Sequence, residues 1–488
     1  MLLHEILNNG REGDVALVDG ERRLTYSETK KIVKSCRNKL YNIGIREGDR
    51  VAIFARNSIE FICTYFAVVS LGAIAVPINF QLSGRETAYI LKDTSIEHVF
   101  TYQPLILDKY ITHTVTQHDI RSFVTIDSTI AEAPQLPAEF SDSNPCAIIY
   151  TSGTTGNPKG AVLSHKNLVR NTEQMVNIAC KREDKVLCVL PIYHAYGWMA
   201  TVLYPLSCGA SIVIMSNFIL KDMLKLIRLE HITDVYVVPS ICTLLTKLAD
   251  PSDLSTLRLF VCSGAPLPRE LADKFTNKFK ISIHEVYGLS EASPMVTTTP
   301  FGYPKAGSIG TLVPDVEARF VGIDGKDVPQ GQEGELIIRG DNVMLGYWNN
   351  PEATRETIDE DGWLHTGDIA RIDEDGYVYI VNRLKEMIIS MGENIYPREV
   401  EEVIYQFPNI KDAAVVGVED SRRGQVGICF YSTQDKSKID VEELKHFLQK
   451  NLALYKIPRE FHELKELPRT STGKISKVKL IDEFVGNL

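Results

Sequence analysis

The most restrictive feature of this sequence is a glycine-rich stretch, Y-T-S-G-T-T-G-N-P-K-G, which runs from Tyr150 to Gly160. It combines several hydroxyl side chains with three glycines and one lysine, and it has no acidic residue. Apolar residues before it, at Ala147–Tyr150, and after it, at Ala161–Leu163, predict buried strands on both sides. A loop of this kind presents backbone N–H groups, hydroxyls and a cation to an anion, so we expect it to bind polyphosphate.

This loop does not match the Walker A pattern, which needs four residues between its glycines and then Gly-Lys followed by Ser or Thr. Here Gly153 and Gly156 are too close together in the sequence, and Pro158 precedes Lys159. A polar surface turn that happens to be rich in glycine is the alternative, because that composition is common in loops. The loop alone leaves both interpretations open.

Composition indicates an ordinary globular protein. A chain of 488 residues predicts roughly two to four domains, and 44% apolar with 24% charged residues is typical of a folded core. The formal net charge of −10 argues against a nucleic-acid surface. Nine scattered cysteines without a C-x-x-C pair predict a reducing compartment, with neither a disulfide framework nor a zinc site.

Targeting and membrane segments are not expected. The N-terminus lacks the basic lead of a signal peptide. The apolar run Phe61–Ile78 is interrupted by polar residues and by Gly72 and Pro77, whereas a spanning helix needs about 20 apolar residues. We therefore expect a cytoplasmic protein without a transmembrane segment, in which this run is a buried helix, from about Ser58 to Leu71, and a short strand.

Strands alternate with helices over most of the first 300 residues, which predicts parallel α/β layers. The predicted strands are Arg50–Ala55, Ala73–Pro77, Glu97–Thr101, Val186–Leu190, Ser211–Met215, Asp234–Val238, Leu257–Cys262 and Ile281–Glu285. From 306 to 380, short strands separated by Asp-Gly turns predict a β-rich, barrel-like insert. After Asn382–Glu386, a short charged segment typical of a hinge, two helices and three strands predict a compact α+β unit.

The predicted fold class is therefore α/β. We expect a large N-terminal domain, residues 1–384, made of parallel-sheet α/β subdomains and a β-barrel-like subdomain, and a small mobile α+β C-terminal domain, residues 385–488.

Further segments combine residue types that suit nucleotide and acid chemistry. They are P-I-Y-H-A-Y-G-W (Pro191–Trp198), S-G-A-P (Ser263–Pro266), Y-G-L-S-E (Tyr287–Glu291), W-L-H-T-G-D (Trp363–Asp368), S-M-G-E-N (Ser390–Asn394) and P-R-T-S-T-G-K (Pro468–Lys474). The ring, glycine, hydroxyl and carboxylate of Y-G-L-S-E suit purine stacking, phosphate contact and Mg²⁺ binding. Each segment alone has a plainer explanation: a strand end, a turn, a solvated lysine or, for His194, a hydrogen-bonded core histidine.

Together and in this order, the segments resemble the motifs of the adenylate-forming superfamily of acyl-CoA synthetases, peptide-synthetase adenylation domains and luciferases. The resemblance covers nearly the whole chain. Tyr150–Gly160 is similar to the phosphate loop of that family, and Y-G-L-S-E is similar to its Y-G-x-T-E motif, with Ser290 keeping the hydroxyl of the usual threonine. The chain departs from the pattern at Asn382, where Asp or Gly is commoner, and at Met391, where Gly or Lys is frequent.

The resemblance implies a role for each site residue. Lys474 would be the mobile catalytic lysine, His194 would lie beside the acyl carboxylate, Glu291 would hold Mg²⁺, and Lys385 would be the hinge. Asp368 would accept both ribose hydroxyls, since a carboxylate offers two acceptor oxygens. The other implied contacts to ATP or CoA are Thr151, Ser152, Gly153, Thr154, Thr155, Lys159, Gly264, Ala265, Pro266, Glu285, Tyr287, Gly288, Ser290, Arg383, Ser390 and Gly392. The implied acid pocket includes Tyr193, Trp198, Val238 and Pro239.

The implied activity is that of an ATP- and Mg²⁺-dependent acid–thiol ligase, most similar to a fatty-acid or other acyl-CoA synthetase. It would form acyl-AMP with release of pyrophosphate, and CoA would displace AMP after the small domain turns about Lys385. A fatty acid is the expected substrate, because the pocket residues are mostly apolar and include no evident acid for an amino group.

Alternatives stay open. The acceptor could be the phosphopantetheine of a carrier protein, although no carrier domain is expected between Lys474 and Leu488, and the acid could be an aryl acid. A catalytically silent nucleotide-binding protein fits less well, because Lys474, Glu291 and Asp368 are all present. A phosphotransferase would yield ADP instead of AMP. The sequence leaves chain length of the acid and the choice between monomer and homodimer undecided.

Overall fold

The computed structural model of the chain describes residues 1–107, 109–111, 113–151, 158–322, 324–390, 393–420, 423–435, 438–470 and 474–485. Five predicted contacts to ATP or CoA, Ser152, Gly153, Thr154, Thr155 and Gly392, lie outside the described residues.

The first 164 residues form alternating strands and helices. The strands are β1 (Val15–Asp19), β2 (Arg22–Thr25), β3 (Arg50–Phe54), β4 (Ile74–Pro77), β5 (His98–Thr101), β6 (Thr116–Asp119), β7 (Pro145–Thr151) and β8 (Lys159–Ser164). The helices are α1 (Tyr26–Asn42), α2 (Ile59–Ser70), α3 (Gly84–Asp93) and α4 (Ile120–Phe123). A capping box begins α1, since Thr25 accepts a hydrogen bond from Glu28 N and the Glu28 carboxylate accepts one from Thr25 N.

Helix α2 is the predicted apolar run. Every one of its residues is buried, as expected for a helix that is apolar on all sides, and Ser58 caps its N-terminus. No helix within the described ranges is long and apolar enough to cross a membrane.

The alternation continues to residue 312. The strands are β9 (Lys185–Cys188), β10 (Ser211–Ile214), β11 (Asp234–Val237), β12 (Leu259–Cys262), β13 (Ile283–Gly288), β14 (Met295–Thr298) and β15 (Thr311–Leu312). The helices are α5 (His165–Gln174), α6 (Ala195–Trp198), α7 (Tyr204–Ser207), α8 (Leu220–Leu229), α9 (Pro239–Leu248) and α10 (Arg269–Phe279). One sheet has the order β15-β14-β13-β12-β11-β9-β10-β1-β2, with parallel pairing from β13 to β1.

The β-rich region follows. It contains β16 (Glu317–Val321), β17 (Gly334–Arg339), β18 (Gly346–Tyr347), β19 (Leu364–Ile372), β20 (Val378–Arg383) and the helix α11 (Pro351–Thr357). Strands β16, β17, β19 and β20 form an antiparallel sheet in that order. Strand β18 instead joins the other large sheet, β18-β8-β7-β4-β3-β5-β6, whose strands from β7 to β6 are parallel.

The C-terminal part has its own sheet and core. Its strands are β21 (Ile388–Ser390), β22 (Glu393–Ile395), β23 (Ile410–Asp420), β24 (Gly424–Thr433) and β25 (Glu460–Glu463), and its helices are α12 (Pro397–Tyr405), α13 (Val441–Asn451) and α14 (Lys477–Leu480). The sheet order is β22-β21-β24-β23, with β25 parallel to β24. Buried residues such as Val400, Val415 and Leu444 form a cluster separate from the main core. The molecule is thus an α/β protein with a large N-terminal and a small C-terminal domain, and the exact boundary at residue 385 stays a prediction.

Candidate active site

The parallel sheet gathers the predicted segments at one edge. Each of these segments lies at the carboxyl end of a parallel strand. They are Pro191–Trp198 after β9, Val238–Pro239 after β11, Ser263–Pro266 after β12, and Tyr287–Glu291, which begins in the last two residues of β13. Because the carboxyl ends of neighbouring parallel strands point the same way, these segments meet in a crevice outside the sheet, where ligands of open α/β sheets bind. The strands therefore place the candidate nucleotide and acid contacts side by side.

Two strand ends bring Asp368, Tyr287 and Arg383 together. The Tyr287 hydroxyl donates to Asp368 Oδ2 at 2.5 Å, and Arg383 Nε lies 3.0 Å from Asp368 Oδ1. Burial raises the pKa of Asp368, whereas the charge of Arg383 and the Tyr287 hydrogen bond lower it. Asp368 is 2% exposed, so it is a buried carboxylate held in place by two partners at the crevice.

A second pair of contacts links Glu291 to Lys159. The Tyr347 hydroxyl donates to Glu291 Oε1 at 2.7 Å, and the Lys159 ammonium lies 5.1 Å from the centre of the Tyr347 ring. Strand β18 places Tyr347 there by pairing it with Ala161, just after the glycine-rich loop. Sequence reasoning missed Tyr347, and a tyrosine after a glycine in an apolar run, L-G-Y-W, is a weak signal on its own.

Two glycines of the crevice are constrained by their surroundings. A Cβ on Gly288 would lie 2.0 Å from the backbone oxygen of Pro294, so no side chain fits there. Gly264 has φ of +84°, a conformation that favours glycine, and a Cβ there would approach Val238 Cγ1 at 3.2 Å. The loop that contains Gly264 is tied to β13 because Ser263 Oγ donates to Val286 O at 2.6 Å. Ala265 and Ser290 are half-buried, whereas Pro266 is exposed.

His194 and Lys474 approach each other from different domains. Burial and the nearby Lys474 ammonium lower the pKa of His194 to about 4, so its imidazole is neutral at pH 7. Its buried Nε2 has no hydrogen-bond partner among the described residues. The pKa of Lys474 is lowered, because the surrounding protein desolvates the ammonium and Arg383 repels it, while Asp368 opposes both effects. Protein atoms surround the Lys474 ammonium on part of its surface, but the residue as a whole stays open to solvent. The ammonium is near enough to Asp368, Arg383 and His194 for their charges to interact.

The predicted acid-pocket residues lie partly in the core and partly beside the crevice. Trp198 is 2% exposed and packs against Tyr65 at 4.1 Å between ring centres, with Phe61 and Phe66 near 6 Å, so its ring belongs to the core. Tyr193 is buried against His194 and Phe80. Val238 and Pro239 are half-buried at the start of α9.

Tyr196 lies in the predicted segment Pro191–Trp198, but no role of its own was predicted for it. Its hydroxyl oxygen is buried without a hydrogen-bond partner within the described part of the chain, and burial raises the pKa of its phenol, as does the neighbouring Cys262. Cys262 ends β12, so the hydroxyl lies close to the crevice edge of the sheet. A buried polar atom of this kind is costly unless a ligand or a water satisfies it.

The other predicted residues lie on or directly after the strands β7, β13, β20 and β21. Burial raises the pKa of Glu285 to about 7, and Arg398 of the small domain opposes that shift. Thr151 ends β7 at the glycine-rich loop, and its hydroxyl donates to Lys159 O at 3.4 Å. Lys385 lies in a 3-10 turn, Leu384–Glu386, directly after β20. Ser390 is buried at the end of β21.

Comparison with known proteins agrees with this geometry. The family model for AMP-binding enzymes matches residues 6–348, and the model for the C-terminal domain of AMP-binding enzymes matches residues 399–474. The chain belongs to the AMP-binding enzyme family. It is 37% identical to a feruloyl-CoA synthase of Amycolatopsis sp. over 483 residues, 96% of each chain. It is 33% identical to the long-chain-fatty-acid–CoA ligase FadD13 of Mycobacterium tuberculosis over 476 residues, 95% of this chain and 93% of the relative.

Solved structures of this AMP-binding family have the same fold. ATP-bound MatB from Rhodopseudomonas palustris superposes with a TM-score of 0.92 at 28% identity, covering 99% of each chain. An anthranilate CoA ligase, AuaEII, in complex with anthranoyl-AMP also gives 0.92, at 27% identity, covering 100% of this chain and 98% of the other. The predicted membership in the adenylate-forming superfamily and the fold class are confirmed, and the chain is an enzyme of the acyl-CoA synthetase type. The roles of its individual residues stay predictions.

Proposed function

We propose that this AMP-binding enzyme activates a largely apolar carboxylic acid as acyl-AMP, with release of pyrophosphate, and then transfers the acyl group to CoA. The observation that carries the proposal is that Lys474, from the small domain, lies near enough to Asp368, Arg383 and His194 for their charges to interact. A lysine ammonium on a long stem suits the negative charge that builds on the carboxylate and α-phosphate oxygens during adenylation.

The positions of the side chains support the nucleotide contacts that the resemblance implies. Asp368 accepts the ribose hydroxyls, Tyr287 and Gly288 border the base, and Lys159 neutralises the phosphates beside the glycine-rich loop. The neutral imidazole of His194 has a buried nitrogen, Nε2, that no described residue hydrogen-bonds and that can contact the acyl carboxyl group. No nucleophilic side chain is required, because the acid itself attacks the α-phosphorus and pyrophosphate leaves.

Magnesium fits at Glu291. Magnesium is usually bound by one or two carboxylates together with phosphate oxygens, and Glu291 is a carboxylate whose Oε1 is oriented by Tyr347. When bound, the ion would neutralise charge on the phosphates. We assign Glu291 as its protein ligand.

The second half-reaction needs a different domain arrangement. We assign the hinge to Lys385, between a large domain of residues 1–384 and a cap domain of residues 385–488, with Ser390 and Gly392 on the path of the pantetheine. A turn there removes Lys474 from the site, so that the thiol of CoA can attack the acyl carbonyl and displace AMP. A carrier-protein thiol is the alternative acceptor. A cytoplasmic location stays a prediction from the free cysteines.

Two acid classes compete. A fatty acid agrees with the apolar pocket residues Tyr193, Val238 and Pro239, and FadD13 is named for such acids. A hydroxylated aryl acid agrees better with the buried, unpartnered hydroxyl of Tyr196, and a feruloyl-CoA synthase and a 4-coumarate-CoA ligase of Narcissus pseudonarcissus are among the relatives. We therefore place the aryl acid first and the fatty acid second.

A substrate panel tests the proposal. Ferulate, 4-coumarate, cinnamate, octanoate and palmitate would each be incubated with ATP and Mg²⁺, with and without CoA, while pyrophosphate, AMP and thioester are measured. We expect pyrophosphate and AMP from the accepted acid, and thioester only with CoA. A preference for 4-coumarate over cinnamate that Tyr196→Phe removes would support the aryl assignment. Formation of ADP, or no pyrophosphate with any acid, would refute the proposal.

A further inference from the structure

A single arginine of the small domain binds the backbone of the large domain. Arg398 is the second residue of α12, and its Nη1 donates a hydrogen bond to Ile380 O at 2.9 Å. Ile380 belongs to β20, three residues before Arg383. The guanidinium is half-buried, so this contact lies inside the junction of the two domains.

Two carboxylates face this arginine, one from each domain. Glu285 lies in β13 of the large domain, and Glu402 lies one turn further along α12. Burial raises the pKa of both, and the charge of Arg398 opposes the shift in each case. The main chain at Arg269, on α10, also lies near Glu402 and lowers its pKa. Without the guanidinium, two poorly solvated carboxylates would face each other across the junction, an arrangement that repels.

We infer that Arg398 is a positioning residue for adenylation: it holds the small domain in the arrangement in which Lys474 faces Asp368 and His194. The inference rests on the proposed function. Ile380 precedes the proposed hinge at Lys385 and Arg398 follows it, so a turn about the hinge breaks their hydrogen bond and separates Arg398 from Glu285. Arg398 therefore favours the first half-reaction and must release its partners before the second.

Measuring the rate of each half-reaction separately tests this inference. Arg398→Ala should lower the rate of pyrophosphate release with ferulate or octanoate by about ten- to a hundredfold, the usual effect of losing a charged hydrogen bond. Conversion of the supplied acyl-adenylate and CoA to thioester should stay within about twofold of the parent. Arg398→Lys, which keeps the charge and one donor, should fall between the two. Arg459→Ala is the matched control, because Arg459 pairs with Asp420 inside the small domain.

Hydrogen exchange gives a readout that does not need the acid. With ATP and Mg²⁺ bound, the amides of Val378–Arg383 and Pro397–Tyr405 should exchange about tenfold faster in Arg398→Ala than in the parent, and Arg459→Ala should leave them unchanged. The inference would be overturned if Arg398→Ala slowed both half-reactions equally. It would also be overturned if Arg398→Ala and Arg398→Lys both kept the rates and the hydrogen exchange of the parent. A parent enzyme that releases no pyrophosphate with any acid would refute the proposed function instead, and the exchange experiment would then decide the role of Arg398.

Discussion

Arg383 lies directly opposite Asp368 on the neighbouring antiparallel strands β20 and β19, with its Nε 3.0 Å from Asp368 Oδ1. The pair fixes a buried carboxylate that accepts a hydrogen bond from Tyr287 and interacts with the charge of Lys474. The strand register therefore holds the Asp368 carboxylate, the proposed ribose acceptor, in place before any ligand binds. Less conformational entropy is then lost when the ligand binds.

Replacing Asp368 tests that assignment. Asp368→Ala should weaken ATP binding about ten- to a hundredfold, because hydrogen bonds to a charged acceptor contribute roughly 1.5–3 kcal/mol. The dissociation constant for ATP, measured by calorimetry on a variant with native circular dichroism, checks it. Asp341→Ala, on the surface near Lys166, is the control. An unchanged constant in Asp368→Ala would remove this residue from the site.

Two substitutions at Tyr347 separate the role of its hydroxyl from the role of its ring. Tyr347→Phe removes the donor to Glu291 but keeps the ring beside Lys159. We expect the Mg²⁺ concentration for half-maximal adenylation to rise about tenfold, with little change in melting temperature, since a charged acceptor loses its partner. Tyr347→Leu should add a loss in ATP affinity. If Tyr347→Phe matched the parent at every Mg²⁺ concentration, Tyr347 would have only a packing role.

Trp198 is a predicted residue of the acid pocket, and its ring packs in the core. Because its ring packs against Phe61, Tyr65 and Phe66, Trp198→Ala should lower the free energy of unfolding by about 3–5 kcal/mol. The space left should also shift acid preference toward bulkier acids. Urea unfolding and the substrate panel measure the two effects. A destabilised variant with the parent's acid profile would place Trp198 in the core alone.

The neutral state of His194 makes stability depend on pH. Its folded pKa of about 4 lies below the unfolded value of about 6.5, so the unfolded chain binds the proton more tightly. The burial of neutral His194 therefore does not lower the free energy of unfolding above pH 6.5. As the pH falls to 4, it lowers that free energy progressively, by up to about 3 kcal/mol. His194→Phe should show a flatter fall in unfolding free energy between pH 7 and pH 4.5 than the parent. Parallel curves for the two proteins would contradict this.

Much of the fold was predictable from local signals. The alternation of strands and helices and the buried helix that begins near Ser58 depend on neighbouring residues, and both predictions are confirmed. The resemblance also placed Asp368, Tyr287 and Arg383 in one site, and the structure brings them into contact.

What sequence reasoning missed depends on contacts between distant segments. Tyr347 reaches Glu291 only because β18 joins β8 in the other sheet, far from the neighbouring strands of the β-rich region. Burial of the Tyr196 hydroxyl and the hydrogen bond between Arg398 and Ile380 arise in the same way. No periodicity in the sequence reports such pairings.

In the proposed mechanism, the small domain serves the two half-reactions in two different arrangements. Lys474→Ala removes the charge that serves adenylation, and the loss of such a preorganised charge typically costs on the order of 10²–10³ in rate. Lys385→Pro fixes φ near −65° at the proposed hinge and resists the domain turn. The first change should affect adenylation, and the second should affect thioester formation.

The most direct measurement is the rate of each half-reaction in both variants, with folding confirmed by circular dichroism. We expect Lys474→Ala to lose pyrophosphate formation but still to convert supplied acyl-adenylate and CoA to thioester. We expect Lys385→Pro to form adenylate but hardly any thioester. Equal loss of both half-reactions in both folded variants would contradict this mechanism.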